Sequence, residues 1–178
     1  MNFIYWAHIY IIQVILNILA FKFTNVFINN QTYIGYTLNH PIYLFCWTIS
    51  SVLGFYFYSK KIWESYQFPY SKKIHFILCI AMIVSAFFPY SDNLNYQTNA
   101  FHVGICGIGL VGFILEWLYF FGKCYPFFKK ECYCFLGLLF ICFFIMMYFN
   151  HITSFCEILF TYFMNLFLYQ WLKKRRIP

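Results

Sequence analysis

The chain has 178 residues, of which 63% are hydrophobic, 27% are aromatic and only 10% are charged, and its formal net charge is +7. A soluble domain usually carries about a quarter charged residues, so one water-soluble core of this size cannot bury so much apolar surface. The composition therefore excludes an ordinary soluble globular domain and indicates an integral membrane protein.

Six apolar runs follow one another along the chain, and each approaches the roughly 20 residues that a helix needs to cross the hydrocarbon layer. They lie at about residues 3–21, 41–58, 75–90, 101–121, 133–149 and 153–172. The runs do not alternate as membrane β-strands do, and a lipid-facing strand outside a closed barrel would leave its backbone unpaired. We therefore expect an all-α fold, with one transmembrane domain over residues 1–178 that forms a six-helix bundle.

Basic residues predict the orientation of these helices, because lysine and arginine accumulate on the cytoplasmic side of short loops. Lysines follow the second run and the fourth run, and the tail carries Lys-Lys-Arg-Arg, whereas Lys22 stands alone after the first run. We therefore expect both termini in the cytoplasm. The same topology accounts for the net charge, so we expect contacts with membrane lipids and no nucleic-acid partner.

Two of the predicted helices carry polar stripes that would be costly in lipid. The first and sixth runs hold them, at Tyr10, Gln13 and Asn17 and at Glu157, Thr161 and Asn165. Residues three or four apart share one face of a helix. We expect the two stripes to hydrogen-bond each other or a third partner and so to fix helix packing; a polar passage for an ion or small solute is the alternative.

The fourth run contains a carboxylate and four glycines. Glu116 lies about five residues from the cytoplasmic end, or roughly 7–8 Å at 1.5 Å per residue. It would either bond a neighbouring helix, reach the headgroups, or act as a proton or cation site. Because glycine lets backbones approach closely, the glycines at 104, 107, 109 and 112 predict that the fourth helix is the most buried one, packed near the outer leaflet.

Several polar residues are predicted to lie at the outer face. His102 opens the fourth helix, where exposed backbone N–H groups favour an anionic neighbour, and Asp92 lies in the preceding loop. His40, His151 and Glu157 approach the same face, and these residues would bind a metal only if they converged. Since no His pair at i,i+4 forms half of such a site, we expect neither a metal nor another cofactor.

The eight cysteines show no CxxC pair, so a redox centre or zinc knuckle is not indicated. We expect them to be packing residues that remain thiols. A bridge between Cys106 and Cys156, which both approach the outer face, is left open.

The stretch AMIVSAFFPYSDNLNYQTNAFHVGICGIGLVGFILE places Phe88 and Pro89 at the end of one run and His102 at the start of a run rich in small residues. This pattern resembles that of the six-helix damage-regulated autophagy modulator-like membrane proteins and their bacterial relatives of unknown function. The resemblance covers about 35 of the 178 residues. It implies a six-helix bundle with a lipid-linked or accessory role and no known reaction.

Familiar catalytic motifs, such as GxSxG, HExxH and the Walker loop, are missing from the sequence. The 26 phenylalanines and 17 tyrosines exceed what a small bundle can bury, so much of this surface must meet lipid or protein. We therefore expect a non-catalytic multi-pass membrane protein that binds lipid or a partner protein, for example as a subunit of a larger membrane complex.

Two other functions stay open. One is a small channel or transporter that uses Glu116 and the stripe on the sixth helix. The other is an intramembrane enzyme with an outer-face His/Asp site. The expected location is a bacterial plasma membrane, with an organellar or other eukaryotic membrane as the alternative.

Overall fold

The computed structural model describes residues 3–89 and 96–174, and every regular element in these ranges is helical. Helix α1 spans Phe3–Phe23 and contains a π-helical turn at His8–Ile12. The other long helices are α2 (Pro41–Ser65), α3 (Lys72–Ser85), α4 (Tyr96–Cys124), α5 (Lys129–Phe149) and α6 (Ser154–Lys174). A short π-helical turn, Tyr33–Thr37, lies in the loop between α1 and α2. The all-α prediction is confirmed.

Local residue chemistry explains several helix boundaries. Pro41 occupies the first turn of α2, where its missing N–H would have no partner in any case. Ser71 caps α3 by accepting a hydrogen bond from the Ile74 N–H at 3.3 Å, so this helix begins before the predicted residue 75. Asn150 ends α5 in the left-handed conformation, with φ at 61°.

Four helices are long and apolar enough to cross a membrane: α1, α2, α4 from Gln97 onward, and α5. Helix α3 has 14 residues, which is about 21 Å of rise. Helix α6 has 21 residues but carries Glu157 and two terminal lysines. By length and composition, the structure is therefore compatible with a membrane protein.

Successive helices run in opposite directions, which gives the bundle two distinct ends. At one of them, called end A, α1, α3 and α5 finish and α2, α4 and α6 begin; the opposite one is called end B. Contacts between helix ends show this order at end A. Phe23 stacks on His40 at 4.1 Å, and Phe45 lies 4.7 Å from Phe87. His102 near the start of α4 lies 2.9 Å from the Ser85 carbonyl oxygen, and the Ser154 N–H of α6 donates to the Asn29 carbonyl oxygen in the loop after α1.

The lysines separate along the bundle axis. Lys22 lies at the end-A terminus of α1. All other lysines of the described residues lie at end B: Lys60, Lys61, Lys72, Lys73, Lys123, Lys129, Lys130, Lys173 and Lys174.

Helix α2 is the centre of the bundle, because it packs against α1, α3 and α6. Its most apolar segment is 61% buried, against 22% for that of α4. The prediction that α4 is the most buried helix was therefore wrong. Its glycines behave differently from one another: Gly109 and Gly112 lie against Met82 and Leu78 of α3, whereas a side chain at Gly104 or Gly107 would meet open space.

A cluster of aromatic rings fills the core near end B. Trp117 packs against Trp63 at 5.2 Å and against Trp171 at 5.6 Å, which joins α4 to α2 and α6. Phe120 and Phe121 pack on the same tryptophans and are almost fully buried. These rings fill the centre of the bundle between α2, α4 and α6 at this end.

Candidate functional site

A cavity of about 310 Å³ lies between the helices in the half of the bundle toward end A. Most of its wall is apolar. Residues from five helices contribute, including Val52, Phe55, Met82, Leu110, Ile114, Leu139, Phe143, Met146 and Phe160. Pockets for small ligands usually measure roughly 300–1,000 Å³, so this volume lies at the lower limit of that range.

The cavity separates α4 from α5. Around it, α2 packs on α3, α3 on α4, α2 on α6, and α6 on α5, whereas α4 and α5 do not pack along their lengths in the described residues. These two helices approach each other near end B, where the rings of Phe121 and Phe135 are 5.5 Å apart. Toward end A both helices contribute residues to the cavity wall, so the cavity lies between them.

A carboxylate marks the polar end of the cavity. Glu157 lies in the first turn of α6, and its Oε2 accepts a hydrogen bond from the backbone N–H of Gln31 at 2.7 Å. Its Oε1 receives no hydrogen bond from the described residues, and the side chain is half-buried at the cavity wall. One carboxylate oxygen is thus held by the protein, and the other is not.

Gln31, beside Glu157, is almost fully buried and also lines the cavity. Its Oε1 accepts a hydrogen bond from the Tyr43 hydroxyl at 2.9 Å, but its Nε2 has no hydrogen-bond partner. A buried amide donor left unsatisfied costs about 1–3 kcal/mol. Sequence reasoning missed Gln31, because it lies in a polar loop and not within an apolar run.

No lysine or arginine of the described residues lines the cavity. An ionised Glu157 would therefore have no fixed cation beside it, which is unusual for a buried charge. Thr161, one turn further along α6, also lines the cavity, but its hydroxyl donates to the Glu157 carbonyl oxygen at 2.8 Å within the same helix.

His102 lines the cavity near its end-A side. Its Nδ1 lies 2.9 Å from the carbonyl oxygens of both Ser85 and Phe88, so this nitrogen is the protonated donor. The contact joins the first turns of α4 to the end of α3. Asp92, the carboxylate of the preceding loop, lies outside the described residues.

The two predicted polar stripes bond mainly to α2. The Gln13 amide donates to the Ser50 carbonyl oxygen at 3.5 Å, and the Asn165 amide donates to the Ser51 carbonyl oxygen at 2.9 Å. Asn17 accepts from the Trp47 indole at 2.9 Å. The sequence predicted that the stripes would bond either each other or a third partner. The structure chiefly shows bonding to a third partner, helix α2.

Tyr10 is the member of the first stripe that reaches α6 directly. Its hydroxyl accepts a hydrogen bond from the Gln170 amide at 2.8 Å, and its ring lies 5.8 Å from that of Tyr169. The polar groups of the two stripes therefore meet separate partners at different depths. They hold helices together and do not line one continuous path.

Glu116 bonds a neighbouring helix, which is one of the roles predicted for it. Its Oε2 lies 2.7 Å from Nδ1 of His75 on α3. His75 is fully buried, and its other ring nitrogen is 3.4 Å from the Tyr56 carbonyl oxygen. Glu116 also lines a second cavity of about 420 Å³ near end B. His75 was not recognised from the sequence, although an ionisable residue within an apolar run is the signal that could have revealed it.

A second histidine that sequence reasoning missed is His8. Its Nδ1 lies 2.7 Å from the Tyr58 hydroxyl, and its Nε2 lies 2.9 Å from the Ser50 carbonyl oxygen. His8 begins the π-helical turn of α1, which shifts the phase of the helix face. A pattern read at constant helical period therefore does not place it beside Gln13.

The histidines predicted at the outer face do not converge. His40 stacks on Phe23, and His151 bonds the carbonyl oxygens of Phe149 and Ile28. Among the described residues, no group of three or more His, Cys, Asp or Glu side chains is suited to hold a metal ion.

All eight cysteines are free thiols, so the bridge left open between Cys106 and Cys156 is not formed. Cys156 instead contacts α5, where its thiol donates to the Cys142 carbonyl oxygen at 3.5 Å. Both Cys142 and Cys156 line the cavity as small packing residues.

Two tyrosines in the loops show how burial affects ionisation. Burial raises the pKa of Tyr36, whose hydroxyl donates to the Ala86 carbonyl oxygen at 2.6 Å. Burial, together with the nearby Glu64 carboxylate, raises the pKa of Tyr70 to about 12. Both side chains are therefore neutral hydrogen-bond donors near neutral pH.

Neither a family model, nor a curated protein, nor a solved structure matches this chain. The fold and the cavity therefore define its class by themselves. It is an all-α protein with four helices apolar enough to cross a membrane and with a largely apolar cavity between the helices that has a carboxylate at one end.

Proposed function

We propose that the protein is a non-catalytic, multi-pass integral membrane protein that binds a membrane lipid in the cavity between α4 and α5. In this proposal all six helices cross the bilayer as one bundle, with both termini in the cytoplasm. The lipid's polar head lies beside Glu157 and its apolar chain extends toward Phe55 and Phe160.

The asymmetry of the cavity is the observation that carries this proposal. One end holds a carboxylate and a buried amide, and most of the remaining wall is hydrocarbon and aromatic rings, with His102 and a few hydroxyl and thiol side chains among them. Few molecules other than amphiphiles match such a surface, and an entrance between α4 and α5, which do not pack along their lengths, would let a chain enter from the bilayer without crossing water. The volume, near the lower limit for ligand pockets, suits a single apolar chain.

The membrane topology rests on packing and charge. Helix α3 packs between α2 and α4, so a bilayer around the bundle would also surround this shorter helix, with local thinning to match its length. The lysines at end B support a cytoplasmic location for that end, because the positive-inside rule favours basic residues there. This location of the charges also supports contacts with anionic headgroups.

A channel or transporter receives less support from the structure. The aromatic cluster near end B fills the space below the cavity with buried rings such as Phe113, Trp117 and Phe120. A solute path would have to displace several of them. The lipid-linked or accessory role implied by the resemblance to damage-regulated autophagy modulator-like proteins agrees with the proposed function.

The lipid proposal is tested by filling the cavity. Cys142→Trp puts a large ring into the cavity wall, whereas Cys134→Trp changes the same residue type on the same helix at an exposed position. Native mass spectrometry of protein purified in mild detergent should show lipid adducts for the wild type and for Cys134→Trp, and their loss in Cys142→Trp. Equal adducts in all three proteins would contradict the proposal.

Association with other membrane subunits is part of the same proposal. Helix α5 is only 11% buried and exposes Phe140, Phe144 and Tyr148, so much of its surface must meet lipid or protein. Purification in mild detergent should recover stoichiometric partner proteins with the chain. Recovery of a lone monomer would remove the subunit role and would leave the lipid-binding role to be judged by its own experiment.

A further inference from the structure

The charges around the cavity restrict the head group that it can accept. Glu157 presents an oxygen to the cavity that accepts no hydrogen bond from the described residues, and no lysine or arginine of those residues lines the wall. A phosphate or carboxylate head placed there would face a carboxyl group in an apolar environment. Two like charges in such surroundings repel strongly, because the low dielectric screens them little.

A cationic head has the opposite effect. An ammonium group beside Glu157 would supply the donor that Oε1 lacks and would balance the charge that the protein leaves unpaired. An amine and a carboxyl group share one proton between them, so the pair is neutral overall whichever group holds it. The ammonium head can therefore bind beside Glu157 without a counter-ion entering the cavity from water.

Gln31 adds a second requirement. Its buried Nε2 is a donor without a partner, beside the same carboxylate. An ammonium group cannot satisfy this donor, but a hydroxyl oxygen next to the ammonium can. The polar end of the cavity thus offers one acceptor, on Glu157, and one donor, on Gln31.

We infer that the cavity selects a single-chain amphiphile with a primary ammonium head, bound through Glu157, and that a hydroxyl near the ammonium adds affinity through Gln31. This inference rests on the proposed function, because it names the chemical class of the lipid. It excludes fatty acids and other anionic single-chain lipids as the preferred ligands.

The test compares three probes with the same chain: tetradecylamine, tetradecanol and tetradecanoic acid. Dissociation constants are measured at neutral pH by native mass spectrometry in an uncharged maltoside detergent, with Cys142→Trp as the background for non-specific uptake. A charge-assisted hydrogen bond contributes about 1.5–3 kcal/mol, so the amine should bind about tenfold or more tighter than the alcohol. The acid should bind more weakly than the alcohol.

Variants then assign the selectivity to one residue. Glu157→Gln should bring the affinities for amine and alcohol within about threefold of each other, which is well under 1.4 kcal/mol. Glu64→Gln, the same change at an exposed position, should leave the ratio of the wild type unchanged.

Each outcome separates the inference from the proposed function. Alcohol binding with no preference for the amine in the wild type would overturn the ammonium site and leave the lipid cavity standing. If none of the three probes bound above the background, both would be overturned. The order of the three affinities in the wild type tests the ammonium site even if Glu157→Gln fails to fold.

Discussion

At the scale of single residues, His75 and Glu116 show how the protein holds a carboxylate among apolar helices. Nδ1 of His75 lies 2.7 Å from the carboxylate, and Nε2 faces the Tyr56 carbonyl oxygen. The Glu116 carboxylate and the Tyr56 carbonyl oxygen are both acceptors. The short contact between Nδ1 of His75 and the carboxylate therefore requires a proton between these two atoms. Each side chain therefore supplies the other with a hydrogen-bond partner, which lowers the cost of burying them.

Removing the imidazole should destabilise the protein strongly. His75→Ala leaves Glu116 without its partner and empties the space between Tyr56 and Trp63, so we expect a loss of about 3 kcal/mol in the free energy of unfolding. Lys72→Ala removes the cation of the exposed Glu64–Lys72 pair and should cost less than about 1 kcal/mol. Thermal unfolding in detergent measures both; similar losses would show that the buried pair is not important for stability.

Tyr70 gives a pH-dependent prediction outside the membrane-spanning helices. Its pKa is about 12 in the folded protein, above the ordinary value near 10, because burial and the Glu64 carboxylate disfavour the phenolate. As the pH rises, the unfolded chain would therefore lose this proton before the folded protein does. The contribution of Tyr70 to the free energy of unfolding is complete below about pH 10 and disappears as the pH rises to about 12.

The comparison with Tyr70→Phe tests this effect. We expect the wild type to lose stability relative to Tyr70→Phe over that interval, and the ultraviolet signal of one tyrosinate to appear late in the titration. Parallel pH profiles for the two proteins would show that Tyr70 ionises normally.

At the scale of helices, α2 organises the bundle by accepting polar side chains from both sides. His8 of α1 bonds the Ser50 carbonyl oxygen, and Asn165 of α6 bonds that of Ser51. Gly54, one turn further along α2, lets these side chains approach: an added methyl group would overlap the Asn165 amide and meet the His8 ring at 3.0 Å. The close packing of α1, α2 and α6 thus depends on the absence of a side chain at Gly54.

A matched pair of glycine substitutions tests this packing. Gly54→Ala should destabilise the protein by about 1–3 kcal/mol, because the Asn165 amide must move from its hydrogen bond. Gly107→Ala on α4 meets open space and should stabilise the helix by about 0.5–1 kcal/mol. Denaturation midpoints of the two variants should therefore shift in opposite directions, and a neutral Gly54→Ala would refute the close approach.

At the scale of the whole molecule, the separation of lysines along the axis predicts how the bundle sits in a membrane. A reporter in the loop at residues 66–71 and another at the carboxyl terminus should report the cytoplasm. A reporter in the loop at residues 24–40 should report the opposite side. If the reporters at residue 66 and at the carboxyl terminus were found on opposite sides of the membrane, both the proposed orientation and the crossing of the membrane by α6 would be disproved.

The positions and lengths of the apolar runs predicted the helical elements of the fold. Each predicted run lies mainly within a helix, which pairs its backbone groups within one segment. The boundaries moved by a few residues where caps act, as Ser71 does at the start of α3. The sequence also identified Glu116, Glu157, Gln13, Asn17 and Asn165 as polar groups that would need partners.

The sequence by itself thus determined the helical class, the distribution of charge between the two ends and the presence of costly polar groups, since these depend on composition and order along the chain. The tertiary structure alone decided that Glu116 meets His75, that the two stripes bond mainly to α2, and that α4 and α5 line a common cavity. These features depend on helix rotation and neighbour choice, and one π-helical turn in α1 is enough to change which side chains face the core.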